Sequence, residues 1–248
     1  REGKVPSCGR ACEHYERFER DFDIAQSLGH NCHRISIEWA RIEPEEGKFD
    51  EKEIEHYREV VRALRARGIE PFVTLWHWTL PLWLRGRGGV LAEDFPGRFA
   101  IYAARMAGAF NGDVRFWMTL NEPTSVIANG YFRAIWPPQK KGIIKVLAAY
   151  RAFAAAHVRA YRAIHTGQPH AEVGIGNILD FYESASDSLL EKGAVKLMDR
   201  IANERFYSLT EGAHDWLGLQ YYFHWRLRFS AAKPSTFFIT HANENKRV

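Results

Sequence analysis

Short apolar runs alternate with amphipathic stretches of helical length along most of this chain, and that alternation limits the fold more than any other feature. Residues 13–28 form an amphipathic stretch that closes at Gly29, a helix with a glycine stop. Residues 32–39 read as a strand, and Asp50 caps a charged helix that runs to about Arg67 and stops at Gly68. Residues 69–77 form a strongly apolar strand, 95–110 a helix, and 115–120 a strand ending in Asn121-Glu122-Pro123. A long Ala-rich helix over 143–165, a strand over 171–178 and a helix over 189–209 follow, with strands at 216–223 and 236–240. Strands separated by helices of this length make βαβ units and a parallel sheet.

Two parallel architectures fit such units. A doubly wound sheet calls for a glycine-rich phosphate turn after its first strand. The nearest candidate, Gly174-Ile-Gly176, lies inside a strand and lacks the third glycine. A closed α/β barrel needs about 250 residues and carries its chemistry at the C-terminal ends of its strands. Polar groups gather at those ends here: Glu38 and Trp39, then Trp76, His77 and Trp78, then Asn121 and Glu122, and finally Gln220, Tyr222 and His224.

Composition narrows the partners. The 34 Lys and Arg against 30 Asp and Glu leave a net charge of +4, interspersed rather than clustered, which argues against nucleic acid. No apolar run reaches the roughly 18 residues of a membrane span, and no signal peptide is visible. Three cysteines, Cys8, Cys12 and Cys32, are odd in number and suit a reducing cytoplasm. The 11 histidines show no His-Glu-x-x-His spacing, so metal catalysis is not indicated. The 8 Trp, 10 Tyr and 16 Phe are read first as core, although indole rings also make flat platforms for ligands.

Thr119-Leu-Asn-Glu-Pro123 carries the strongest chemical signal. Proline steers the residue before it away from right-handed helical angles, so Glu122 is held at a sharp strand end. A carboxyl group in that place can give and take a proton, and Asn121 offers an amide to a hydroxyl. Each neighbour also has a plain structural reading. His77 alone on an apolar strand reads as a core histidine, Arg34 could pair with Glu38, and Tyr222 and the tryptophans could pack.

The longer motifs resemble glycoside hydrolase family 1, the retaining β-glycosidases built on a (β/α)8 barrel. His30-Asn-Cys-His-Arg-Ile-Ser-Ile-Glu-Trp-Ala-Arg-Ile-Glu-Pro44 is similar to that family's second strand. Gly68-Ile-Glu-Pro-Phe-Val-Thr-Leu-Trp-His-Trp-Thr-Leu-Pro81 resembles the third, Trp117-Met-Thr-Leu-Asn-Glu-Pro123 the fourth, and Asp215-Trp-Leu-Gly-Leu-Gln-Tyr-Tyr222 the sixth. The resemblance runs over residues 8–229. It implies that Glu122 is the general acid/base, that Asn121 binds the sugar 2-hydroxyl and that His77 and Trp78 bind substrate. It further implies that Arg34 and Tyr222 support the nucleophile. Gln220, implied as a further substrate-binding residue, stands where the family carries Asn, one methylene longer, and Thr79 where an aspartate is common.

The same resemblance places the nucleophilic Glu directly after Thr240, where His241 stands; Glu244 is the nearest carboxylate. Six strands are counted here, whereas closure takes eight. The step from Phe229 to Thr236 is too short for a crossover helix. The expectation is therefore one α/β domain over residues 1–248, a (β/α)8 TIM barrel lacking strands 1 and 8 and part of the region near strand 7. Its implied substrate is a β-glycoside or oligosaccharide, with no cofactor required. Two alternatives stand beside it: a degenerate or truncated barrel that binds ligand without turnover, and an aromatic-lined interior that takes haem on a Tyr or His ligand.

Overall fold

A computed structural model describes residues 9–232 and, as backbone, 239–241. Helix α1 (His14–Ser27) leads into strand β1 (Cys32–Ser36) and a single helical turn, α2 (Trp39–Ile42). Helix α3 (Glu51–Ala66) follows, with Asp50 Oδ accepting from the Lys52 and Glu53 amides at its start, and then β2 (Glu70–Trp76). After α4 (Leu82–Gly86) and α5 (Phe95–Ala109) come β3 (Phe116–Asn121) and α6 (Pro123–Ile127). The long α7 (Ile143–Gly167) precedes β4 (Glu172–Ile178), β5 (Phe181–Ser184), α8 (Leu189–Met198) and α9 (Arg205–Leu209). The described chain closes with β6 (Trp216–Gln220), β7 (His224–Phe229) and β8 (Ile239–His241).

Five strands form one parallel sheet in the order β1-β2-β3-β4-β6, and β5, β7 and β8 form a second, smaller sheet. The parallel sheet is a partial (β/α)8 barrel. Its outer face is covered by helices: Val73, Leu75, Trp117, Val173 and Ile175 are fully buried, with Phe99, Tyr102 and Phe153 packed in the same core. Among the described strands β1 and β6 are its edges. On β6 the outer-face residues Leu217 and Leu219 are 55% and 67% exposed.

The inner face is crowded by rings. Phe72 stacks on Phe116 at 4.4 Å, and Trp216 meets Phe72 edge-on at 5.6 Å. Such packing needs empty positions opposite, and β4 and β6 supply them. A Cβ on Gly174 would lie 2.5 Å from the Trp216 ring and from its carbonyl oxygen, and one on Gly176 would lie 2.7 Å from Met118 Sδ. Gly174-Ile-Gly176 therefore serves close strand approach, in keeping with its lack of a dinucleotide turn.

Several strand expectations change. β1 ends at Ser36, because Glu38 turns the chain by accepting the Ala40 amide at 3.2 Å and capping α2. Strand β6 stops at Gln220 rather than continuing to Phe223. Strands β5 and β7 fall outside the strand–helix alternation, although polar–apolar alternation in His224-Trp-Arg-Leu-Arg-Phe229 carries the signal for β7. Of the strand expected at 236–240, residues 236–238 lie outside the described residues; the described part, Ile239–His241, pairs antiparallel with β7 and does not extend the parallel sheet. No described helix is long and apolar enough to cross a membrane.

A methyl group at two glycines should have opposite effects. Gly174→Ala is expected to cost about 1–3 kcal/mol through overpacking against Trp216. Gly193→Ala, in the middle of α8 with open space around it, should stabilise by roughly 0.5–1 kcal/mol. Urea denaturation of the two variants checks both signs.

Candidate active site

The C-terminal ends of β1, β2, β3 and β6 converge on Asn121 and Glu122. Pro123 opens α6, and Glu122 before it adopts φ 45°, ψ 56°. The expectation that proline excludes the right-handed helical region holds, but the residue takes the left-handed one rather than an extended one. A non-glycine residue there carries strain of about 1–3 kcal/mol and needs outside support. Support comes from the Glu122 amide, which donates to the Gly176 carbonyl at 2.7 Å, and from the Ser125 hydroxyl, which donates to Oε2 at 3.0 Å. The residue is only 6% exposed.

Asn121 is 1% exposed and gathers the neighbouring strands. Its Oδ1 accepts from Arg34 Nη2 at 2.6 Å, and the Gln220 side-chain amide lies 2.7 Å from the same oxygen. The Gln220 amide also touches the Glu122 carboxylate and lies 3.2 Å from Arg34 Nη1. The extra methylene of Gln220 thus brings its amide onto the acid itself. Gly176 makes that possible, since a Cβ there would sit 3.0 Å from Gln220 Nε2. Arg34 donates to Asn121 and does not form the Glu38 pair weighed from the sequence.

His77 lies just past β2, with Nδ1 3.2 Å from Ser36 Oγ on β1. Partial desolvation, and then the positive Arg34, hold its imidazole below the ordinary histidine value, so it is neutral at pH 7. Trp78 has φ 78° and donates its indole N–H to the Asn121 carbonyl at 3.1 Å. Its ring lies 5.3 Å from His77 and 4.8 Å from Trp136. His77, Trp78, Asn121, Glu122, Arg34 and Gln220 therefore stand at one edge. Tyr222 joins more loosely, exposed and with its hydroxyl 3.5 Å from Gln220 Oε1. Thr240 is described as backbone in β8, and Glu244 lies outside the described residues.

Three contributors escape a sequence reading. Ser36 lies two residues after Arg34 on the same strand face, a spacing that could have flagged it. Ser125 and Trp136 carry no such signal, while Thr79, noted from the sequence as a departure without a role, donates its hydroxyl to Glu38 at 2.8 Å. Together the edge offers a buried carboxyl group for proton transfer, amide and imidazole groups for hydroxyls, and indole faces for a ring. Among the described residues no three His, Cys, Asp or Glu side chains converge as a metal would require.

Behind β3 a buried histidine holds the strand in place. The Ala213 carbonyl can only accept, so His157 Nε2 carries the proton at 2.6 Å, and Nδ1 accepts from Thr119 Oγ1 at 2.6 Å. Burial first, and the neighbouring His214 second, lower the His157 value to about 4.

Comparisons with known proteins point one way. The family described as Glycosyl hydrolase family 1 matches residues 5–214. Beta-glucosidase A of Thermotoga maritima is 32% identical over 194 residues, which are 78% of this chain and 44% of that protein. The solved beta-glycosidase of Pyrococcus horikoshii superposes with a TM-score of 0.87 at 31% identity, covering 95% of this chain and 59% of that one. The Thermotoga maritima beta-glucosidase solved in complex with deoxynojirimycin gives a TM-score of 0.87 at 26% identity, covering 94% and 59%. The chain thus spans less than half of that curated relative and about three-fifths of the solved ones.

The His157 clamp should make stability depend on pH. The unfolded chain protonates this histidine near 6.5, the folded chain only near 4. Stability is then full above about pH 6.5 and falls as pH drops toward 4, by up to about 3 kcal/mol. His157→Gln is expected to flatten that part of the profile, read as denaturation midpoint against pH.

Proposed function

This chain belongs to glycosyl hydrolase family 1, and from that membership we propose that the protein hydrolyses the terminal bond of β-glucosides or related β-glycosides by double displacement. Glu122 protonates the glycosidic oxygen as the aglycone leaves and later takes a proton from the attacking water. A second carboxylate, about 5–5.5 Å away in a retaining site, attacks the anomeric carbon. The family resemblance puts it directly after Thr240, beyond the residues that carry the rest of the site.

The observation that most supports this reading is the arrangement at the end of β3. A carboxyl group 6% exposed is held at a strained strand end, beside an amide whose oxygen already accepts from Arg34. That leaves the Asn121 nitrogen to donate to a sugar hydroxyl, and such a bond can strengthen as charge develops in the transition state. Neutral His77, oriented by Ser36, can bind a further hydroxyl, and Trp78 with Trp136 offers an apolar wall.

A second reading is ligand binding without turnover. One feature favours it: His241 stands where the family resemblance expects the nucleophile. Hydrolysis of a chromogenic aryl β-glucoside, measured beside deoxynojirimycin binding, separates the two. The expected result is turnover that falls by about 10²–10⁴-fold in Glu122→Ala with inhibitor binding retained. Binding without turnover in the wild-type protein supports the second reading instead. Turnover unchanged in Glu122→Ala overturns the acid/base assignment.

A further inference from the structure

The turn after β2 is pinned to both neighbouring strand ends. Trp78 sits at φ 78°, a conformation that a bulky side chain keeps only under constraint. On one side its indole N–H donates to the Asn121 carbonyl at the end of β3. On the other, the hydroxyl of the next residue, Thr79, lies 2.8 Å from both Glu38 oxygens beyond the end of β1. Glu38 is itself fixed: Oε1 accepts the Ala40 amide, and its own backbone N–H donates to Tyr57 Oη at 3.1 Å. Ser36, Glu38, His77 and Thr79 line one cavity of about 80 Å³ with the strand backbone behind them.

We infer that Glu38 and Thr79 form a positioning pair that sets the angle of the His77 imidazole. The inference rests on reading His77 as a ligand of a sugar hydroxyl. His77 directly precedes the strained residue, so any rotation of the 78–79 turn swings its side chain away from Ser36. The pair touches no reacting atom; it acts through the turn. Its chemistry is also matched in kind. The family resemblance expects an aspartate where Thr79 stands, but a carboxylate at that spot would face the Glu38 carboxylate at hydrogen-bond distance. One of the two would then have to hold a proton. A hydroxyl donor removes the conflict, which ties the departure at Thr79 to the presence of Glu38.

The test uses the full chain and two readouts: the His77 Cε1–H signal in NMR, which needs no ligand, and deoxynojirimycin affinity by calorimetry. Thr79→Val, close in volume, is expected to broaden or split the His77 signal and to lower affinity about tenfold. Thr79→Ser should keep both. Thr79→Asp should behave like Thr79→Val at pH 7, and adding Glu38→Gln to it should restore the signal, because the amide can donate to the new carboxylate. An unchanged His77 signal in Thr79→Val, or a double variant no better than Thr79→Asp, overturns the pair. Absence of deoxynojirimycin binding by the wild-type chain counts against the glycosidase reading alone, and the His77 signal still decides the positioning pair.

Discussion

The close approach of β4 and β6 at Gly174, Gly176 and Gly218 is the constraint on which the rest of this molecule depends. Met118, Trp216 and Gln220 fill the space that side chains at those glycines would take. β3 and β4 pair from Phe116 and Glu172 to Met118 and Gly174, and after a register shift between Met118 and Asn121 they pair again at Asn121 and Gly176. That register puts the Gly176 carbonyl under the Glu122 amide and the Gln220 amide against the Glu122 carboxylate. A methyl group on either β4 glycine would move the acid as well as loosen the sheet.

The candidate site is a set of mutual supports rather than a row of independent side chains. Asn121 receives Arg34 from β1, Gln220 from β6 and, through its carbonyl, Trp78 from beyond β2. Two non-glycine residues at this edge, Trp78 and Glu122, hold left-handed backbone angles. Strain of that kind survives only where neighbours over-determine the conformation, and it tends to collect where function needs a fixed geometry. On the opposite face of β3, His157 fastens Thr119 to α7 and to the Ala213 loop, so the strand is held from both sides.

Much of the architecture was readable along the chain. The helix stops at Gly29 and Gly68, the cap at Asp50 and the apolar strand leading to Trp76 all follow local rules that need no partner. The position of Glu122 before Pro123 was likewise local. The limits were local too: Glu38 reads as the continuation of β1 until the Ala40 amide is seen on its carboxylate. Segment 236–240 reads as one more parallel strand, whereas its described part pairs antiparallel with β7.

By itself the sequence determined the alternation of strands and helices, and with it a parallel sheet whose C-terminal edge holds the polar groups. It also determined the family, because long motifs keep residue type and spacing together. Only the tertiary structure decided what those groups do to one another: that Arg34 serves Asn121 rather than Glu38, that Gln220 reaches the acid, and that Thr79 answers Glu38. Hydrogen bonds between residues far apart in the chain depend on strand register and on the space left by absent side chains, and neither is written in any single segment.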